Sequence, residues 1–308
     1  MPWTRVKCPD AQEHTFDDCI ACDHPCCDIE IREALFAHNS NQDPTHVGTS
    51  ISVTSLIGCL RSTYLERVTD YAAPPMSQWY SLRGELIHKL VEHPDRDDPD
   101  TLRRSEMSCL SLFKTGTDEI PISGRIDSYK LKFLKHGTLK DWKSIGDNGM
   151  QFIVYEGAKE DHIWQTNIYA WLLRRNGFRV DHIEIAYLSL MAIVKTGQEI
   201  LWHEYLAAAP SKTGKRKRMV SIPTLVKEYP SGRKKWACVY RVPEVPIYDT
   251  ETIEDFMRPR ILMLNNAFKH GTMPDMADEE TRAWKCNEYC HVKDQCDEFQ
   301  GEINVEDS

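Results

Sequence analysis

Apolar residues recur along this chain in two rhythms, and the rhythm changes near residue 100. Residues 51–68 (ISVTSLIGCLRSTYLERV) open on Ser/Thr caps and then repeat apolar positions at helical spacing, which predicts a helix. Residues 79–93 (WYSLRGELIHKLVEH) predict a second helix, broken by the Pro94 to Pro99 stretch. From 101 the pattern becomes strand-like. The runs 105–113, 119–133 and 137–145 are extended and rich in branched residues, with turns expected at Thr115–Gly116 and His136–Gly137. Residues 160–176 predict an amphipathic helix that stops at Gly177. Strands are expected at 183–194, 199–206 and 233–247, and a long helix at 250–270. Helices, three strands, a helix and strands again describe an α/β (α+β) fold: a mixed central sheet flanked by helices.

Composition narrows the class. The chain has 308 residues, 41% hydrophobic and 28% charged, so it can bury a core in one large domain or two small ones. No run approaches the ~18 apolar residues of a membrane helix, and the N-terminus lacks an apolar leader core. A cytoplasmic protein with no membrane partner is the expectation. The net charge of −9 argues against a chain that coats nucleic acid nonspecifically, but leaves room for a local basic groove.

The 11 cysteines change the picture, because clustered thiols in a reducing compartment point to metal rather than disulfides. Cys286, Cys290 and Cys296 form a C-x3-C-x5-C group, one ligand short of a four-thiolate site. The fourth could come from elsewhere in the chain, from His291 or from the N-terminal group. Cys8, Cys19, Cys22, Cys26 and Cys27, with His14 and His24 among them, make a second group. Its Cys19-x2-Cys22 knuckle suits Zn²⁺; Cys8 could begin the same site, and Cys26, Cys27 or His14 could complete it. Cys59, Cys109 and Cys238 stand alone.

The central strands carry candidate chemistry. Asp127 follows a glycine in ISGRIDSYK, and Asp141 and Lys143 lie in TLKDWKS. Strand residues two apart share a face, so Asp141 and Lys143 project together and a hairpin can bring Asp127 beside them. Hard carboxylate oxygens suit Mg²⁺ or Mn²⁺, and a neighbouring lysine can hold an attacking water. His88 could add a nitrogen ligand. His162, Gln165 and Tyr169 fall on one helical face. The basic stretch PSKTGKRKR at 210–218 is not a nucleotide-binding loop: position 209 is Ala and Arg follows Lys215, so G-x-x-x-x-G-K-[ST] is absent.

In order these residues give G-x-x-x-H at Gly84–His88, G-x-x-D at Gly124–Asp127, D-x-K at Asp141–Lys143 and Q-x-x-x-Y at Gln165–Tyr169. That set, across about residues 52–297, resembles the RecB-type branch of the PD-(D/E)xK nucleases. With Cys59 before it and C-x3-C-x5-C after it, it is similar to the iron–sulfur members, among them the CRISPR-associated "Cas-four" exonucleases and the nuclease domain of AddB.

The resemblance implies a restriction-endonuclease-like sheet whose termini are stapled by a 4Fe–4S cluster on Cys59, Cys286, Cys290 and Cys296. It implies Mn²⁺ or Mg²⁺ on His88, Asp127 and Asp141, and Lys143 positioning the nucleophilic water. Gln165 and Tyr169 would contact the substrate or brace the site, with Glu106 where relatives often carry an acidic residue. The expected domains are a Cys-rich, zinc-binding head at 1–30, a linker at 31–50, the nuclease with its iron–sulfur segment at 51–300, and an acidic tail at 301–308. The expected activity is metal-dependent hydrolysis of DNA, as an exonuclease on single-stranded ends in CRISPR adaptation, phage recombination or repair. The basic residues Lys212, Lys215–Arg218 and Arg233–Lys235 would hold the strand. Two other readings are a catalytically silent iron–sulfur assembly subunit of a DNA-processing complex with partner proteins, and a redox or zinc regulator.

Overall fold

In the computed structural model the residues described are 5–8, 12–22, 33, 50–73, 82, 84–89, 96–98, 101–116, 118–133, 135–189, 224–228, 234–237, 240–275, 286 and 290–296. The expected strand at 199–206, the basic residues 210–218, Arg233, Cys26 and the acidic tail lie outside them. In chain order the first elements are strands β1 (Arg5–Lys7) and β2 (Glu13–His14), helix α1 (Phe16–Ile20) and β3 (Ile51–Ser52). Helices α2 (Val53–Ile57) and α3 (Leu60–Val68), strand β4 (Ala72–Ala73) and a helix α4 over 84–89 follow. Next come β5 (Arg96–Asp98), β6 (Thr101–Thr115), β7 (Asp118–Lys132), β8 (His136–Ile145), helices α5 (Asp147–Glu156) and α6 (Glu160–Arg175), and β9 (His182–Ser189). The last are β10 (Thr224–Glu228), β11 (Lys234–Ala237), β12 (Tyr240–Arg241) and α7 (Thr250–His270).

The main sheet runs β12-β9-β8-β7-β6-β5. β7 and β8 are antiparallel, whereas β8 and β9 are parallel and in register from Thr138↔His182 to Ile145↔Ser189. The sheet is therefore mixed, with helices flanking it, as the alternation of patterns predicts. Parallel neighbours need a long crossover, and α5 and α6 supply it. α5 has no counterpart in the sequence reading; it starts at the extended Gly146 and buries Met150 and Ile153.

α6 also differs from expectation. Its middle is not amphipathic, because every residue from Thr166 to Leu173 is buried. The polar Asn167 tolerates this through full pairing. Its amide donates to the Ile163 and Pro246 carbonyls, and its oxygen accepts from the Tyr248 N–H.

The chain divides into two compact units. One comprises Met1–Leu86, Leu112–Ile122 and Glu254–Ser308; the other comprises Ile87–Ser111 and Ser123–Ile253. In the first, β1 pairs antiparallel with β2 and parallel with β4. Val6, Cys19 and Ala73 form a small core there, with Cys8, Phe16, Ile20 and Tyr71 against it. The expected single helix at 51–68 is interrupted. The extended backbone at Gly58 ends α2, and Cys59 becomes the N-cap residue of α3. In the second unit, Ile126, Tyr129, Leu139, Ile168, Leu172, Ile185 and Tyr187 are all fully buried.

Candidate metal centre

The hydrogen-bonded register of β7 and β8 includes Ser128↔Lys140. One residue further on, the Asp127 side chain takes over from the backbone: its Oδ2 accepts the Trp142 N–H at 2.7 Å. The other polar group of the Trp142 backbone is taken as well, since its carbonyl oxygen lies 3.1 Å from His88 Nε2. A carbonyl only accepts, so His88 Nε2 must carry the proton. In the neutral ring Nδ1 then presents a lone pair. That atom is 3.7 Å from Glu106 Oε1 and 3.7 Å from Asp127 Oδ1.

The ligand atoms of His88, Glu106 and Asp127 all lie within 4.8 Å of one another. Three acceptors converging at distances too long for hydrogen bonds fit a shared cation. One imidazole and two carboxylates suit Mn²⁺ or Mg²⁺. Electrostatics agree. Burial pushes the Asp127 carboxyl up to about 7, and the charge of Asp141 adds to it against the opposing effects of His88, the Trp142 N–H and Lys143. A cation would relieve that cost.

Asp141, expected as a third ligand, is buried but not part of this group. Its Oδ2 lies 2.8 Å from Lys143 Nζ, a close ion pair without hydrogen-bond alignment. Glu106 takes the third place. It does so from an unusual backbone, with φ at +49° inside β6. Its other oxygen pairs with Arg125.

Gln165 and Tyr169 meet as their helical spacing predicts, the Gln165 amide donating to Tyr169 Oη at 3.0 Å. Tyr169 is buried; burial pushes its phenol upward, and Asp141, Asp127 and Glu106 push the same way. The phenol thus stays neutral beside the carboxylates. Its ring explains the glycine of G-x-x-D, because a Cβ on Gly124 would come 2.8 Å from Tyr169 and 2.9 Å from Leu172. Gly84, in contrast, has nothing within 4 Å of a built Cβ.

Tyr187 was not anticipated. It pairs in register with Lys143, and its hydroxyl accepts from the Lys159 N–H and contacts His162 Nδ1 at 2.8 Å. Burial, with Lys143 and Lys159 nearby, pushes His162 down to about 3, so its ring is neutral. Trp142, one residue from either side of D-x-K, projects to the opposite face, where Lys140 Nζ sits 4.4 Å from its ring centroid. Trp164 packs on Tyr248 at 4.8 Å.

The cysteines expected to hold a cluster or zinc sit in the other unit. Cys59, Cys286, Cys290 and Cys296 are free thiols of intermediate burial. Three of them gather at the start of α3. An Arg61 N–H points at Cys296 Sγ at 3.8 Å, the Ser62 hydroxyl is in hydrogen-bond contact with Cys290, and Cys286 raises the Cys290 thiol, whose main upward push is burial. Cys59 is the N-cap residue of the same helix; among the described residues the four thiols do not lie within 4.8 Å of one another as a close ligand group. Arg61 also donates to the Pro274 carbonyl at 2.7 Å. His291 stacks on Tyr71, Val292 is fully buried, and Lys7 pairs with Asp294 at 3.1 Å. Of the expected zinc ligands, Cys19 is buried, Cys8 packs beside it and Cys22 is exposed. Among the described residues these do not form a second close ligand group.

No family model matches the chain, and no curated protein does. Among solved structures, the crystal structure of SSO0001 matches with a TM-score of 0.43 and 17% identity, over 85% of this chain and 91% of that one. Among the described residues no helix is long and apolar enough to cross a membrane.

Proposed function

We propose that this chain is a divalent-metal-dependent nuclease of the RecB-like PD-(D/E)xK type, acting on DNA and as an exonuclease on single-stranded ends. The observation that carries this reading is the His88 tautomer. With Nε2–H committed to the Trp142 carbonyl, a neutral ring turns its Nδ1 lone pair toward two carboxylate oxygens, beside the ion pair of buried Asp141 with half-buried Lys143. A divalent cation held by His88, Glu106 and Asp127 would supply Lewis acidity to the scissile phosphoryl group.

The chain's own groups do the rest. Lys143 orients the attacking water and offsets charge that develops on the phosphoryl oxygens. Asp141 holds the Lys143 ammonium in place. Tyr169, fixed by Gln165 and by contact over Gly124, closes the wall behind the carboxylates and keeps them out of bulk water. A silent assembly subunit would have no use for this complete set.

Mn²⁺ binding should depend on pH with a defined sign. Without a cation Asp127 is protonated in much of the population below about 7, so binding must displace that proton. Calorimetry should show Mn²⁺ affinity rising toward pH 7, by up to about tenfold per unit well below it, then levelling, with proton release on binding. The same raised carboxyl favours the cation-free fold at low pH, and that contribution is lost as pH rises through about 7. Affinity independent of pH between 5 and 8 would count against Asp127 as a ligand.

The four cysteines support a structural 4Fe–4S cluster. Arg61 and Ser62 supply donors to thiolate sulfurs, as cluster sites require. Protein purified without oxygen should be brown and contain iron. Cys59→Ala and Cys290→Ala should lose colour and iron alike; a colourless wild-type protein holding only zinc would refute the cluster. Digestion of labelled single-stranded DNA with Mn²⁺ tests the activity itself.

A further inference from the structure

Arg125 stands two residues before Asp127 on β7, so the two side chains share a face of the strand. Its side chain is 68% exposed, yet its Nε is engaged by Oε2 of Glu106, a residue only 17% exposed. The remaining oxygen of that carboxylate, Oε1, faces His88. One carboxylate thus links the inner ligand group to a guanidinium at its rim. The backbone of Glu106 is in the left-handed region at φ +49°, a conformation that a non-glycine residue adopts at a cost and that concentrates at functional sites.

Stability does not explain the arrangement, because an ion pair with so exposed an arginine contributes little. A guanidinium carries five donors in a rigid fork, and the pair with Glu106 occupies its Nε edge; the Nη groups suit a phosphate. A dication on Glu106 Oε1 would draw the carboxylate charge inward and loosen its hold on Arg125.

We propose that Arg125 is a phosphate-binding residue at the rim of the metal centre, held by Glu106 until a backbone phosphate of the substrate strand takes its place. The proposal rests on the nuclease reading above. It makes metal loading and strand binding partners in one exchange: Glu106 turns to the cation while Arg125 turns to the phosphate.

The test uses the full chain, Ca²⁺ in place of Mn²⁺ to slow hydrolysis, and a fluorescent oligothymidylate titrated at several salt concentrations. Arg125→Ala should weaken binding about tenfold and reduce the slope of log K against log salt by about 0.7, the value for one phosphate contact on a single strand. Arg125→Lys should restore the slope but not the full affinity, because an ammonium lacks the fork. Mn²⁺ affinity without DNA should hold or tighten in Arg125→Ala, a readout that a merely structural role would not give. An unchanged affinity and slope in Arg125→Ala, with a wild-type protein that binds and cuts DNA, overturns this inference alone. So does a parallel loss of Mn²⁺ binding, which would make Arg125 a support for Glu106. A wild-type protein that neither binds nor cuts DNA overturns the nuclease reading and this inference with it.

Discussion

Lys143→Ala should lower phosphodiester hydrolysis by at least about 10²–10³-fold, the loss typical when one group stabilising transition-state charge is removed. Lys143 is 19% exposed, and its ammonium is fixed 2.8 Å from a carboxylate that is itself 2% exposed. A charge so held needs no reorganisation as the phosphoryl oxygens gain charge. Asp141→Asn should cost a similar factor, because Lys143 then loses the group that places it. The double variant should be little worse than either single one, since two residues that act as a unit are not additive. Mn²⁺ affinity is the control. His88, Glu106 and Asp127 remain in both variants, so binding should persist while single-turnover cleavage collapses. Cleavage at wild-type rate in Lys143→Ala would remove this residue from the mechanism.

Gly137→Ala should be the most destabilising small substitution in the second unit. A Cβ there would sit 1.8 Å from the Arg179 carbonyl oxygen and 2.7 Å from its carbon. Both are backbone atoms, so no rotamer change relieves the overlap. The same place is fastened three ways. The Gly137 N–H donates to Asp181 Oδ2 at 2.9 Å, the Asp181 N–H donates to the Gly137 carbonyl at 2.8 Å, and Tyr129 Oη donates to the Arg179 carbonyl at 2.8 Å. These contacts start the parallel pairing of β8 with β9, the pairing that aligns Lys143 with Tyr187. Overpacking against backbone costs about 3 kcal/mol, which for a chain of this size lowers the melting temperature by roughly 6–12 °C. Gly84→Ala is the contrast. It meets nothing within 4 Å and lies in a helix, where alanine is favoured. A melting temperature unchanged in Gly137→Ala would mean that Arg179 lies elsewhere.

The role of Gly137 also shows where sequence reading stops. A turn was expected at His136–Gly137, but β8 begins at His136 and Phe133, at φ +52°, lies in the turn before it. A glycine needed for close approach and one needed for a turn look alike until the approaching chain is known. Residues with a period were legible. Asp141 and Lys143 share a face because they are two apart in a strand, and Gln165 reaches Tyr169 because they are four apart in a helix. Residues placed by irregular backbone or by a distant strand were not. Glu106 is named only through the resemblance, with no ligand role read from its own pattern, and Tyr187 joins the site through the register of a strand about 40 residues downstream. The break at Gly58 that makes Cys59 a cap was hidden in a continuous helical pattern. α5 was hidden by a run of apolar residues, Phe152 to Tyr155, that suits a strand equally well.

The central claim is that the group of His88, Glu106 and Asp127 serves phosphodiester hydrolysis. Release of nucleotides from end-labelled single-stranded DNA by the purified protein, with Mn²⁺ and then with chelator added, tests it most directly. The account predicts release that depends on Mn²⁺, stops with chelator and is absent in Asp141→Asn. No release from the wild-type protein at any Mn²⁺ concentration that saturates its site would contradict it.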